Sequence, residues 1–125
     1  ENPFFTADRI LSKITADYIF VDFHAEATSE KRALGYFLDG RVSAVFGTHT
    51  HVQTSDEQIL PLGTGYITDV GMVGGKNSVL GLRKEDAIRK FTSHIGVRYS
   101  QDENEIFFQS VLFDTDKKEI ERINI

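Results

Sequence analysis

Val42-Ser43-Ala44-Val45-Phe46-Gly47-Thr48-His49-Thr50-His51 is the stretch on which the fold turns. Val42 to Gly47 is a short uncharged apolar run, the composition of a strand covered on both faces. The run ends at Thr48, and His49 and His51 follow at once. Upstream, Tyr18-Ile19-Phe20-Val21-Asp22-Phe23-His24 reads the same way and also ends on a histidine. Between the two runs, Ser29–Leu38 reads as a helix, with Ala33, Tyr36 and Phe37 as its apolar face and Asp39-Gly40 as its stop. Strand, helix and strand over about thirty residues form a βαβ crossover, which is right-handed in nearly all proteins. Both strands then open their C-terminal ends on the same edge of a parallel sheet.

Outward from this unit the pattern is less regular. Before it, Thr6 is a candidate cap for a helix over Ala7–Lys13, with Ile10, Leu11 and Ile14 as its buried stripe. After it, Gln58–Leu62 and Gly65–Thr68 read as short strands about a glycine-containing turn. Asp69–Gly81 is rich in glycine (Gly71, Gly74, Gly75, Gly81) without a nucleotide-binding spacing, and reads as an irregular loop. Lys84–Thr92 reads as a helix with Ala87, Ile88 and Phe91 on one side. Ile106–Asp114 and Glu119–Ile125 read as a hairpin turning at Thr115-Asp116-Lys117-Lys118. The class is α/β, mixed or partly antiparallel in its second half.

Composition excludes several functions. The 125 residues hold 14 Lys and Arg against 19 Asp and Glu, a net charge of −5 with no basic stripe, which disfavours nucleic acid as partner. A small phosphate ligand is not disfavoured, because metal ions supply positive charge locally. No apolar run approaches the ~18 residues that span a bilayer, so no membrane partner is expected. There is no cysteine, so any metal must be held by His, carboxylate, amide or water. The lack of cysteine suits a reducing cytosol, and a cytoplasmic location is expected.

The chemistry should lie at the strand ends, where open α/β sheets place their ligands. His49 and His51 are two residues apart, the spacing that puts side chains on one face of a strand. An isolated His-x-His pair is as readily a pair of surface loop residues. His24, brought to the same rim by the crossover, makes His24, His49 and His51 a candidate metal set. Metal-bound imidazoles usually donate their other N–H to a carboxylate or carbonyl, and Asp22, Glu26, Asp56 and Asp69 are the nearby candidates. Glu26 also suits a helix N-terminal charge, and Asp56 a turn or cap. His94 has no partner motif and reads as a helix C-terminal charge.

Val21-Asp22-Phe23-His24-Ala25-Glu26-Ala27-Thr28-Ser29-Glu30-Lys31, Gly47-Thr48-His49-Thr50-His51-Val52-Gln53-Thr54 and Ile67-Thr68-Asp69-Val70-Gly71-Met72 together resemble the YmdB-like bacterial metallophosphoesterases of the calcineurin-like superfamily, cyclic-nucleotide phosphodiesterases. The resemblance runs over nearly the whole chain. It implies a sandwich of two mixed sheets flanked by helices, and two divalent or mixed-valence metal ions (Fe, Mn, Zn or Mg). It matches His24 and His49 to ligands of the second metal and His51 to a ligand of the first. Thr48 and Thr50 stand where they can touch substrate or water. The family's remaining ligands, including a bridging carboxylate, an asparagine and the catalytic histidine that donates the proton, lie in an N-terminal half that has no counterpart here. Gly75 stands where the pattern has proline. The expectation is therefore the C-terminal half of a domain of roughly 250 residues, a size allowed for one α/β domain. Its partners would be the missing half, a small phosphodiester, and a second copy in a homo-oligomer. By itself this half is expected to be inactive. The competing reading is a non-catalytic binding or assembly module on the same fold.

Overall fold

The computed structural model describes residues 1–125. In chain order the elements are α1 (Pro3–Leu11), β1 (Phe20–His24), α2 (Thr28–Leu38), β2 (Ala44–Thr48), β3 (Gln58–Ile59), β4 (Gly65–Ile67), β5 (Val73–Gly75), α3 (Lys84–Ser93), β6 (Ile106–Asp114) and β7 (Glu119–Asn124). The first sheet has the order β1-β2-β4-β3. Its β1, β2 and β4 are parallel, and β3 closes antiparallel on β4. The second sheet, β5-β6-β7, is antiparallel throughout. The expected α/β class, the parallel pairing of the first two long strands and the C-terminal hairpin are all present.

The sheets lie against one another. Phe113 of β6 meets Phe20 of β1 edge to face at a centroid distance of 6.4 Å. A Cβ at Gly65 of β4 would sit 2.8 Å from the same Phe113 ring, so glycine is what lets the layers approach. Gln53 adds a polar tie: its amide donates to the carbonyls of Val70, Ser110 and Ile123. On the other face of the first sheet, Leu34 and Leu38 of α2 pack with Val42, Val45, Leu60 and Tyr66 to form the buried core.

Several local expectations are corrected. Helix α1 begins earlier than expected, because Asn2 caps it, accepting from Phe4 N at 2.9 Å, and Pro3 occupies its first turn. That is a stronger start than Thr6, which lies inside the helix. Of its expected stripe only Leu11 is half-buried against the core; Ile10 and Ile14 are exposed. Strand β1 is not covered on both faces. It is the sheet edge, and Phe20, Asp22 and His24 are exposed in alternation with half-buried Val21 and Phe23. On α2 the buried stripe is Lys31, Leu34, Gly35 and Leu38, while Ala33, Tyr36 and Phe37 face outward. On α3 only Ala87 is buried; Ile88 and Phe91 are exposed. The glycine-rich stretch contains β5, whose Gly75 lies so close to Asp102 that a Cβ would come within 2.8 Å of its backbone oxygen. His94 caps α3 with φ 55°. No helix is long and apolar enough to cross a membrane.

Candidate metal centre

β1 and β2 run in register, with His24 paired to Thr48, so both strands end at the same level. The chain leaves the ladder at Thr48, and His49 and His51 follow with φ values of 103° and 62°. Positive φ is rare for residues with a Cβ and marks local strain. The two histidines therefore sit on an irregular turn, outside the strand-face geometry that their spacing suggests.

The turn carries His49 to His24. The His49 Nδ1 and His24 Nε2 atoms are 3.3 Å apart, with the rings nearly perpendicular at 87° and their centroids 5.0 Å apart. The hydrogen-bond network assigns the protons. Thr48 Oγ1 donates to Asp22 Oδ1 at 2.8 Å, so it accepts from His24 Nδ1–H at 3.0 Å. In a neutral ring that tautomer leaves the Nε2 lone pair facing His49. Metal-binding imidazoles are usually oriented by a direct carboxylate, carbonyl or water partner; here the Thr48 hydroxyl relays His24 to the Asp22 carboxylate. His51 is fixed separately, donating Nδ1–H to the Leu80 carbonyl at 3.1 Å, which leaves its Nε2 as an acceptor. All three histidines are exposed or half-exposed on an open rim.

Beneath the rim lies a buried ion pair that the sequence reading did not single out. Lys31 Nζ is 2.9 Å from Asp69 Oδ2, with the two side chains 1% and 0% exposed. Lys31 also donates to Thr48 O at 2.6 Å. Asp69 accepts from Thr50 N at 3.0 Å, Thr50 Oγ1 at 2.7 Å and Gly71 N at 2.9 Å. Burial opposes ionisation of Asp69, but the donors Thr50, Gly71 and Lys31 outweigh it and hold the carboxyl below the usual range. A signal for Lys31 was present: it shares the helical stripe of Leu34 and Leu38.

The other expected residues fall as follows. Asp22 and Asp69 belong to the two networks above. Thr48 and Thr50 spend their hydroxyls on Asp22 and Asp69. Glu26 is exposed and stands just before α2 without an ion pair. Asp56 lies apart, binding Arg32, Thr54 and Thr68. Burial pushes its carboxyl up, and the hydrogen bonds from Thr68 and Thr54 together with the Arg32 charge bring it net below the usual range. No three His, Asp or Glu side chains of the chain surround one point.

The donor set fits part of a metal site. Two imidazole nitrogens each ~2.0–2.1 Å from one tetrahedral ion lie about 3.3–3.4 Å apart. His24 Nε2 and His49 Nδ1 already have that separation, so a cation can take the place of the proton they share. The pair alone supplies too few ligands to close a coordination shell.

The family model for YmdB-like proteins matches residues 1–125. The 2',3'-cyclic-nucleotide 2'-phosphodiesterase of Bacillus subtilis strain 168 is 48% identical over 132 residues, taking in 100% of this chain and 50% of that protein. A crystal structure of a hypothetical protein from Thermus thermophilus superposes with a TM-score of 0.92 at 40% identity, over 100% of this chain and 51% of that one. The structure of a novel phosphatase from Mycoplasma pneumoniae gives a TM-score of 0.89 at 40% identity, over 99% of this chain and 46% of that one. The chain thus spans about half the length of these relatives. Matched from its first residue to its last, it belongs to the YmdB-like family.

Proposed function

We propose that this chain is the histidine-bearing half of a dinuclear metal-dependent phosphodiesterase that hydrolyses a cyclic nucleotide or a similar small phosphodiester. The observation that carries the reading is the 3.3 Å approach of His24 Nε2 to His49 Nδ1, with His24 already oriented through Thr48. His24 and His49 hold one ion, and His51, its Nδ1 tied to Leu80, presents Nε2 to the other. Imidazole ligands favour Fe, Mn or Zn over Mg. Such a metal pair supplies charge neutralisation at the phosphoryl oxygens and an activated water. The facing sheets with helices outside support a metallophosphoesterase-type sandwich.

The remaining ligands and the proton donor come, in this reading, from the half of the relatives' length that this chain does not span. The free edge of β1 and the exposed Phe20, Ile10 and Ile14 beside it provide the surface against which that half packs. A cytoplasmic location goes with this reading. The competing reading is a non-catalytic binding or assembly module on the same fold.

Metal content and turnover separate the two. The full-length protein is expected to carry two metal ions per chain and to hydrolyse a 2',3'-cyclic nucleotide. His49→Ala should lower that rate by more than about a hundredfold, since even partners behind the ligands are worth 10–100-fold. A metal-free protein, or a His49→Ala variant with undiminished turnover, would refute the enzyme reading.

A further inference from the structure

We propose that the buried Lys31–Asp69 pair is a positioning device that sets the backbone of His49 and so the separation of the two metal-binding imidazoles. The inference rests on the functional reading above. The conformation of His49 is defined by the two peptide planes on either side of its Cα. Lys31 Nζ holds the first plane through Thr48 O at 2.6 Å. Asp69 Oδ2 holds the second through Thr50 N at 3.0 Å, and adds Thr50 Oγ1 at 2.7 Å. Lys31 and Asp69 are joined at 2.9 Å, so the two clamps form one rigid unit. With both planes fixed, the His49 backbone is held at its φ of 103°. The one side-chain hydrogen bond of His49 is to His24.

Stability alone does not account for this pair. Removing two charges from water is expensive, and apolar residues of similar volume often serve a fold as well or better. Four of the five hydrogen bonds that the two side chains make join them to each other or to the residues flanking His49; the fifth fixes Gly71. Lys31 stands on α2, so the helix of the crossover is tied directly to the histidine turn.

The test uses the full-length protein and Co2+ as probe, followed by its visible absorption and by calorimetry. The double variant Lys31→Met/Asp69→Leu removes both charges at similar volume. It should remain folded, with a melting temperature lowered by the loss of partners for Thr48 O, Thr50 N and Gly71 N, and bind Co2+ about 10–100-fold more weakly with an altered visible band, the range for partners behind metal ligands. Thr50→Val, which keeps the backbone N–H and loses only the hydroxyl on Asp69, should weaken binding about fivefold and lower the melting temperature by a few degrees while the protein stays folded. Wild-type Co2+ affinity and spectrum in a folded double variant would overturn the proposal. If the double variant does not fold, wild-type affinity in Thr50→Val overturns it and weakened affinity supports it. His24→Ala is the separate control: should it retain wild-type Co2+ binding, the metal reading itself fails, whatever the pair does.

Discussion

Gly47 sits in β2 directly above the segment that carries Asp69, and its replacement by alanine tests how closely the rim is packed. A Cβ at this position would lie 1.8 Å from the Thr68 backbone oxygen and 2.8 Å from Lys31 Cδ. An ordinary C···O contact is about 3.3–3.6 Å, so the backbone at Thr68 must retreat by about 1.5 Å. That retreat breaks the 3.0 Å bond from Val70 N to Gly47 O and pulls Asp69 from its donors. Overpacking costs about 1–3 kcal/mol and the lost hydrogen bond about 1 kcal/mol, so Gly47→Ala should cost about 3 kcal/mol. In a domain of this size range that corresponds to a fall of about 10 °C in Tm. Urea denaturation followed by circular dichroism measures the first quantity, and a thermal melt the second. Gly96→Ala is the control, since nothing lies within 4 Å of a Cβ there. It should stay within about 0.5 kcal/mol of wild type. A Gly47→Ala protein within about 1 kcal/mol of wild type would refute the packing argument.

Single contacts supply further tests. Lys31→Met alone leaves the Asp69 charge buried without its partner, and should destabilise by about 3–5 kcal/mol in urea titrations, more than the double variant does. Leu80 and Gly81, with φ 55° and 93°, occupy a two-residue turn closed by mutual bonds between Val79 and Leu82. Asn suits that turn better than Leu, so Leu80→Asn should raise stability by up to about 1 kcal/mol; a loss of that size in the same titration would contradict the turn geometry. Asp56 has its carboxyl held below the ordinary value of 3.8, so its contribution is complete above that pH and disappears as the pH falls through its lower folded value. Asp56→Asn should flatten the loss of stability below about pH 4, seen by acid titration of the circular dichroism signal; an unchanged slope would exclude Asp56 as a source.

What the sequence displayed and what it concealed have physical causes. The crossover was legible because Phe20–Phe23, interrupted by Asp22, and Ala44–Phe46 are near-continuous apolar runs bounded by polar breaks, and the structure pairs them in parallel. The exposure of β1 was not, because an edge strand and a central strand can have the same composition. On α2, a buried lysine at the head of the Leu34–Leu38 stripe disguised the buried face, and Tyr36 and Phe37 drew attention to the wrong side. A lysine is expensive to bury, so only its partner Asp69, 38 residues on, explains it, and that distance is invisible to local periodicity. The meeting of His24 with the Thr48–His51 turn followed from topology. The strain in that turn did not, since Thr-His-Thr-His carries no glycine to announce a positive φ. β5 was hidden for the opposite reason: Gly74 and Gly75 look like loop residues, yet at Gly75 close approach of Asp102 excludes a side chain.

Two imidazole nitrogens sharing one ion are the centre of the proposed chemistry. Anomalous diffraction at the zinc edge, from crystals of the full-length protein grown with Zn2+, tests that sharing most directly. A peak about 2.0–2.1 Å from both His24 Nε2 and His49 Nδ1 is the expected result. A peak that avoids either nitrogen, or none at this edge of the sheet, would contradict it.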